Sequence, residues 1–255
     1  MEDLLLVRSI PPYRKPISHP LSRNMAGSNL KRLQKVASGL GDLNESVVYV
    51  GGAVAELYVS DPAATDIRPT MDVDCVVELA SYKGFNELCE LLRKKGFQND
   101  QTPGAPICRW IYQGETVDIM PDDEGVIGFS NKWYHPAIAK KESRTLPDGT
   151  GIYVFPVTYY VATKFEALAG RGGNDLRTSH DFEDIIYILN SCPDFIERFQ
   201  NEKNEALKQY LKEKMAMLIS RSNIMEEIEC ALPIGEDDRA DYIFEVIEEI
   251  AQLQE

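Results

Sequence analysis

Val47-Val48-Tyr49-Val50-Gly51-Gly52-Ala53-Val54-Ala55, followed by Arg68-Pro69-Thr70-Met71-Asp72-Val73-Asp74, is the most informative part of this chain. The run Val47–Val50 is short, apolar and β-branched, as a buried strand requires. Gly51-Gly52 breaks it, and a short helix is expected from Ala53 to Val59. A second strand is expected from Asp72 to Leu79, alternating around Val73, Cys75, Val76 and Val77. In a strand, residues i and i+2 share a face. Asp72 and Asp74 therefore present two carboxylates side by side, while Val73 and Cys75 turn to the core. Like charges placed this way repel. A divalent cation removes the repulsion, and Mg²⁺ (or Mn²⁺) suits a site of carboxylates, water and substrate phosphates.

Outward from this stretch, Tyr82–Lys95 has the spacing of an amphipathic helix, with Phe85, Leu88, Leu91 and Leu92 on one side and Gly96 as its stop. Cys108–Tyr112 and Glu115–Met120 form a predicted hairpin across Gln113-Gly114. Asp118 sits on the second of these strands. If that strand pairs beside the Asp72–Asp74 strand, three acids converge, enough to hold two metal ions about 3.5–4 Å apart for an in-line displacement. A further strand is expected over Ile152–Phe155, entered by the Pro147-Asp148-Gly149 turn.

Beyond Pro156 the pattern becomes helical over 157–170, 181–190, 194–221 and 237–252. The reading is α+β, a mixed sheet with flanking helices followed by a helical C-terminal module. Its divisions are a leader over 1–28, a catalytic α/β domain over 29–156 and a helical domain over 157–255. The leader holds Pro11, Pro12, Pro16 and Pro20 without periodicity, so it is expected to be extended or disordered. A short helix is expected over 29–38.

In the helical part, Lys164 and Arg171 lie seven residues apart and share a helix face. Two cations there could clamp a triphosphate, lysine as a point charge and arginine as a fork. Asp181, at the start of the next helix, is explained equally well by the helix dipole. Asp184 competes with it one turn on.

Gly-Gly after a strand, Asp-x-Asp about twenty residues later and a third acid on a later strand resemble the DNA polymerase β-like nucleotidyltransferase superfamily. The wording Arg68-x-Thr70-x-Asp72-Val73-Asp74 resembles its AbiEii/MenA-like branch, which contains toxins of type IV toxin–antitoxin systems. The resemblance covers roughly residues 45–190. Many members of the superfamily carry Gly-Ser where this chain carries Gly51-Gly52.

The resemblance implies transfer of a nucleoside monophosphate from an NTP to a hydroxyl, releasing pyrophosphate. It implies Asp72, Asp74 and Asp118 as metal ligands and catalytic acids. Gly51, Gly52, Thr70, Lys164 and Arg171 would contact the nucleotide, and Lys164 and Asp181 would serve catalysis. A tRNA or other RNA 3′ end is the implied acceptor, and a cognate antitoxin the implied partner. The alternatives are a small-molecule or antibiotic nucleotidyltransferase, and a non-catalytic nucleotide-binding partner with the same fold.

Composition narrows the classes. The chain has 255 residues, 44% of them apolar and 27% charged, enough for a real core. The net charge is −14, unevenly spread: residues 1–36 carry seven Lys/Arg against two acids, and residues 195–255 seven against fifteen. So acidic a chain is not a general nucleic-acid binder. Residues 132–144 do interleave Lys132, Lys140, Lys141 and Arg144 with Trp133 and Tyr134, a pattern that suits either a nucleic-acid end or an exposed loop. No apolar run approaches the roughly 20 residues of a membrane span, and Glu2 and Asp3 stand where a secretory signal would be basic. A cytoplasmic protein with no membrane partner is expected. The five cysteines form no Cys-x-x-Cys pair, so reduced thiols are expected, not zinc or disulfides. Ser179-His180-Asp181 are consecutive at a helix start and give no catalytic triad, and no Gly-x-x-x-x-Gly-Lys-Ser/Thr loop is present, which leaves serine hydrolases and P-loop ATPases unsupported.

Overall fold

A computed structural model of the chain describes residues 23–59, 67–171, 175–233 and 235–253. Its centre is a mixed seven-stranded sheet. The strands are β1 (Val47–Val50), β2 (Asp72–Val77), β3 (Gln98–Asn99), β4 (Arg109–Tyr112), β5 (Glu115–Pro121), β6 (Glu142–Thr145) and β7 (Gly151–Val154). Their spatial order is β3-β4-β5-β2-β1-β7-β6. β2 runs antiparallel to β1 and parallel to β5, and β7 runs parallel to β1.

The two central strands carry their apolar residues into the interior: Val47, Val48, Tyr49 and Val50 are all buried, as are Val73, Cys75 and Val76. The β4–β5 hairpin turns at Gln113 and Gly114, both with positive φ (48° and 82°), the geometry of a tight two-residue turn that matches strand twist. That turn fixes the register, Tyr112 opposite Glu115 and Arg109 opposite Asp118.

The helices are α1 (Arg23–Leu40), α2 (Tyr82–Lys94), α3 (Glu124–Ile127), α4 (Tyr134–Ile138), α5 (Val157–Gly170), α6 (His180–Ser191), α7 (Phe195–Asn201), α8 (Glu205–Ile219), α9 (Ile224–Ala231) and α10 (Ala240–Gln252). From α5 onward the described residues contain helices and turns but no strand. α5 is almost wholly buried, with Tyr159, Tyr160, Val161, Ala162 and Phe165 inside, so it lies at the heart of the structure and not on its surface. One buried apolar cluster runs from Leu33 to Ile250 and joins sheet and helices. Among the described residues no helix is long and apolar enough to cross a membrane.

Several expectations are corrected. The first helix begins at Arg23, inside the predicted leader, and reaches Leu40; residues 1–22 lie outside the described residues. The helix expected over Ala53–Val59 is a 3-10 helix, Gly52–Tyr58. The helix expected over 194–221 is broken at residues 202–204. There the Glu202 carboxylate accepts from the Lys203 and Asn204 backbone N–H groups at 2.8 and 2.9 Å, and the Asn204 side chain caps α8 through Leu207 N. Such local side-chain bonds compete with the helix ladder. β3, β6 and α9 were not foreseen: β3 is two residues long and β6 is wholly polar, whereas α9 buries Ile224 and Ile228 at a helical spacing that was passed over. Four cysteines are buried and Cys230 is exposed, all five as free thiols.

Candidate active site

The parallel pairing of β2 with β5 sets Asp74 directly beside Asp118. Asp72 lies two residues back on the same face of β2. Each of the three carboxylates offers an oxygen within 4.8 Å of the others. Asp118 is buried, whereas Asp72 is partly open to solvent. Burial, with the Asp72 charge second, pushes the Asp74 carboxyl up to about 7. Hard oxygen donors clustered at this spacing, electrostatically uncomfortable on their own, fit a hard divalent ion of the Mg²⁺ or Mn²⁺ kind.

The cluster forms part of the wall of a cavity of about 670 Å³, within the range of small-ligand sites. Gly51 and Gly52 also line it. Gly51 has φ +73°, and a Cβ on it would stand 1.9 Å from Asp74 Oδ2. A Cβ on Gly52 would stand 2.7 Å from the Thr70 methyl. The family resemblance implied a nucleotide contact for the glycines. The structure supplies a second cause, since the turn has no room for a side chain beside Asp74. The expected α-helical N-terminus behind them is replaced by the short 3-10 helix, which weakens any dipole contribution. Gly51→Ala is expected to cost roughly 3 kcal/mol, from strained backbone plus overpacking. Urea denaturation checks this, and an unshifted midpoint would contradict it.

Thr70 also lines the cavity, but its polar groups are committed to the turn. Its backbone N donates to Asn29 Oδ1 at 3.0 Å and its hydroxyl to the Asp72 carbonyl at 3.1 Å. Asn29, fully buried on α1, also donates to the Arg68 carbonyl at 3.1 Å. α1 thus pins the segment that enters β2 and fixes the angle at which Asp72 and Asp74 emerge.

A further part of the lining comes from α5 and α6. Lys164 is buried and lies 2.6 Å from Asp184 and 3.5 Å from Asp181. Burial alone would lower its pKa, but Asp184 and Asp181 outweigh it and raise the value, so Lys164 stays charged. Asp181 and Asp184 lie three residues apart on one face of α6, whose first turn Ser179 caps by accepting from Phe182 N. Arg171 ends α5 largely in solvent and pairs with Asp181. Asp181 thus bridges the two predicted phosphate-binding cations. Asp184, named only as its competitor, is the closer partner of Lys164 and is wholly buried.

Two arginines complete the cavity without having been singled out for a role. Arg68 bridges Glu183 at 3.0 Å and Asp184 at 3.3 Å. Arg109 grips both oxygens of Asp118, Nε to Oδ1 at 2.8 Å and Nη2 to Oδ2 at 2.7 Å. The signal for Arg109 was present, because a two-residue turn at Gln113-Gly114 places residue 109 opposite residue 118.

In charge, the cavity lining holds five acids (Asp72, Asp74, Asp118, Asp181, Glu183) against four cations (Arg68, Arg109, Lys164, Arg171). A triphosphate entering this lining alone meets no net positive field. Added divalent cations reverse that balance.

In the segment 132–144 three of the four basic side chains are paired with acids, and Lys141 donates to the Glu45 carbonyl at 2.8 Å. Lys132 pairs with Glu166 at 2.8 Å, Lys140 with Glu202 at 2.6 Å and Arg144 with Glu142 at 2.6 Å, and Trp133 is buried. His135 is bound to Asp122 at 2.6 Å, away from the cavity lining.

Comparison with solved structures adds a likeness in fold. The crystal structure of an antigenic nucleotidyltransferase-like protein from Paracoccidioides brasiliensis matches with a TM-score of 0.45 and 19% sequence identity, over 80% of this chain and 93% of that chain. No protein-family model and no curated protein matches the chain. Likeness at that level carries nothing about activity, so function must be read from the cavity itself.

Proposed function

We propose that this protein is a metal-dependent nucleotidyltransferase, which moves a nucleoside monophosphate from an NTP to a hydroxyl acceptor and releases pyrophosphate. The observation that carries this reading is the convergence of Asp72, Asp74 and Asp118 within 4.8 Å, in the lining of a cavity that Lys164 and Arg171 also line. Bound divalent ions would supply charge neutralisation and polarisation of the phosphoryl oxygens. Asp72, Asp74 and Asp118 would hold them.

The acceptor oxygen forms its bond to the α-phosphorus as the bond to the pyrophosphate oxygen breaks. The acceptor's proton passes to a carboxylate of the cluster, assigned to Asp118. Lys164 and Arg171 face the departing phosphates, with Gly51 and Gly52 leaving backbone room beside them. Asp181 and Asp184 hold Lys164 charged and oriented, so Asp181 serves as a positioning group. As in other phosphoryl transfers, placement and electrostatics carry the catalysis.

For the acceptor, the branch resemblance favours an RNA 3′ end such as that of a tRNA, with the protein a toxin held by an antitoxin. The pairing of Lys132, Lys140 and Arg144 with acids favours instead a small-molecule hydroxyl. Incubation with each α-labelled NTP, Mg²⁺ and either total RNA or small aminoalcohols separates the two by which product is labelled. Pyrophosphate release that needs both metal and acceptor is the expected result. NTP binding without release in any combination would leave only a nucleotide-binding protein.

A further inference from the structure

Of the four cations on the cavity lining, three are paired with acids outside the metal cluster. Arg68 holds Glu183 and Asp184, Lys164 holds Asp184 and Asp181, and Arg171 holds Asp181. Arg109 alone among them is seated on the cluster itself. Its fork takes one oxygen of Asp118 with Nε and the other with Nη2. The same Nη2 lies 3.7 Å from Asp72 Oδ2. One guanidinium nitrogen therefore stands between an oxygen of Asp118 and an oxygen of Asp72, where an ion bridging the two acids would sit.

Mg²⁺ and Mn²⁺ need their oxygens at about 2.0–2.1 Å in strict geometry. A guanidinium using both Asp118 oxygens leaves no free approach of that kind from the Asp72 side, and its positive charge repels a second cation. The Arg109 backbone cannot retreat, because β4 fixes it opposite Asp118. Its side chain can, being about a third exposed at the cavity wall.

We propose that Arg109 is a resident counter-cation of the metal cluster, which a divalent ion must displace from Asp118. It neutralises the acids before metal binds and sets the metal concentration at which the site loads. This rests on the metal-site reading above. On displacement the fork becomes free to meet anionic substrate in the cavity, a geometry to which arginine is suited.

The test is isothermal titration of Mn²⁺ alone, without nucleotide, into the full chain as wild type, Arg109→Ala and Arg109→Lys. Arg109→Ala is expected to bind Mn²⁺ about tenfold more tightly, equivalent to ~1.4 kcal/mol. Its metal-free melting temperature should fall, and Mn²⁺ should restore it. Arg109→Lys keeps the charge but loses the fork, so it is expected to fall between the two and serves if the alanine variant fails to fold without metal. A merely structural arginine would weaken metal binding when removed, not strengthen it. Wild-type binding with equal or weaker affinity in both variants overturns the proposal and leaves the metal site standing. Absence of Mn²⁺ binding from wild type and variants alike overturns both.

Discussion

An Asp74→Asn protein is expected to lose NTP turnover by about a thousandfold or more, and yet, free of metal, to melt at a higher temperature than wild type at pH 8. On the proposed function, the first effect follows from removing a ligand of ions that would stabilise the reacting phosphoryl oxygens, worth at least ~4 kcal/mol at the transition state. The second follows from the direction of the Asp74 pKa. Burial and the Asp72 charge raise it from 3.8 to about 7 in the folded protein. A group raised in this way contributes stability that is fully present below pH 3.8 and is lost as pH rises through about 7. Above that, the folded chain carries an ionised carboxylate it holds poorly, at a cost of up to roughly 4 kcal/mol. The neutral amide of the variant removes that cost, and a gain of about 1–3 kcal/mol remains after imperfect hydrogen bonding. Thermal melts at pH 5 and pH 8 with a chelator check the sign: the variant's advantage should shrink at pH 5, where wild-type Asp74 is largely protonated. A wild type more stable than the variant at pH 8 would show that Asp74 is already satisfied by its surroundings. Stability given up at a functional site is the familiar trade.

Lys164→Ala is expected to destabilise the fold by roughly 3–5 kcal/mol. It strands the buried Asp184 and Asp181, of which Asp184 keeps only the more distant Arg68 and Asp181 keeps the exposed Arg171. Breaking one side of a buried pair costs more than deleting the pair, because a charge is left in a poor solvent. A Lys164→Ala/Asp184→Asn double variant should therefore recover much of the loss, and the double-mutant cycle closed with Asp184→Asn alone, by urea denaturation, measures the coupling. A loss under about 1 kcal/mol, or no recovery in the double variant, would show that the pair is well solvated.

The sequence disclosed most where one physical rule acted alone. Strand periodicity placed Asp72 and Asp74 on one face, and the apolar runs of β1 and β2 placed that face beside a core. It also marked α2, the β4–β5 hairpin, α5 and α6 closely. That Asp118 joins the pair depended on β5 lying next to β2, a long-range pairing that local pattern cannot supply. Lys164 was legible as a cation on a helix face. That it is buried between Asp181 and Asp184 was not, because α5 carries nearly uniform apolar surface and its surroundings are set by α6.

Thr70 adds a structural role that local pattern could not show: it lines the cavity, while its hydroxyl donates to the Asp72 carbonyl and its N–H to Asn29, a partner 41 residues away. The break at residues 202–204 falls in the wholly polar run 200–205, and it was missed because Phe199 and Leu207, eight residues apart, stay in helical phase on either side of it. Arg109 was recoverable from hairpin register alone and was passed over because arginines on strands so often face solvent.

The most direct measurement is a crystal grown with Mn²⁺ and a non-hydrolysable NTP, with data collected to record the anomalous signal of manganese. The account predicts anomalous density among Asp72, Asp74 and Asp118, with the triphosphate reaching toward Lys164 and Arg171. Nucleotide bound elsewhere, or manganese absent from the three carboxylates in a crystal that holds the nucleotide, would contradict it.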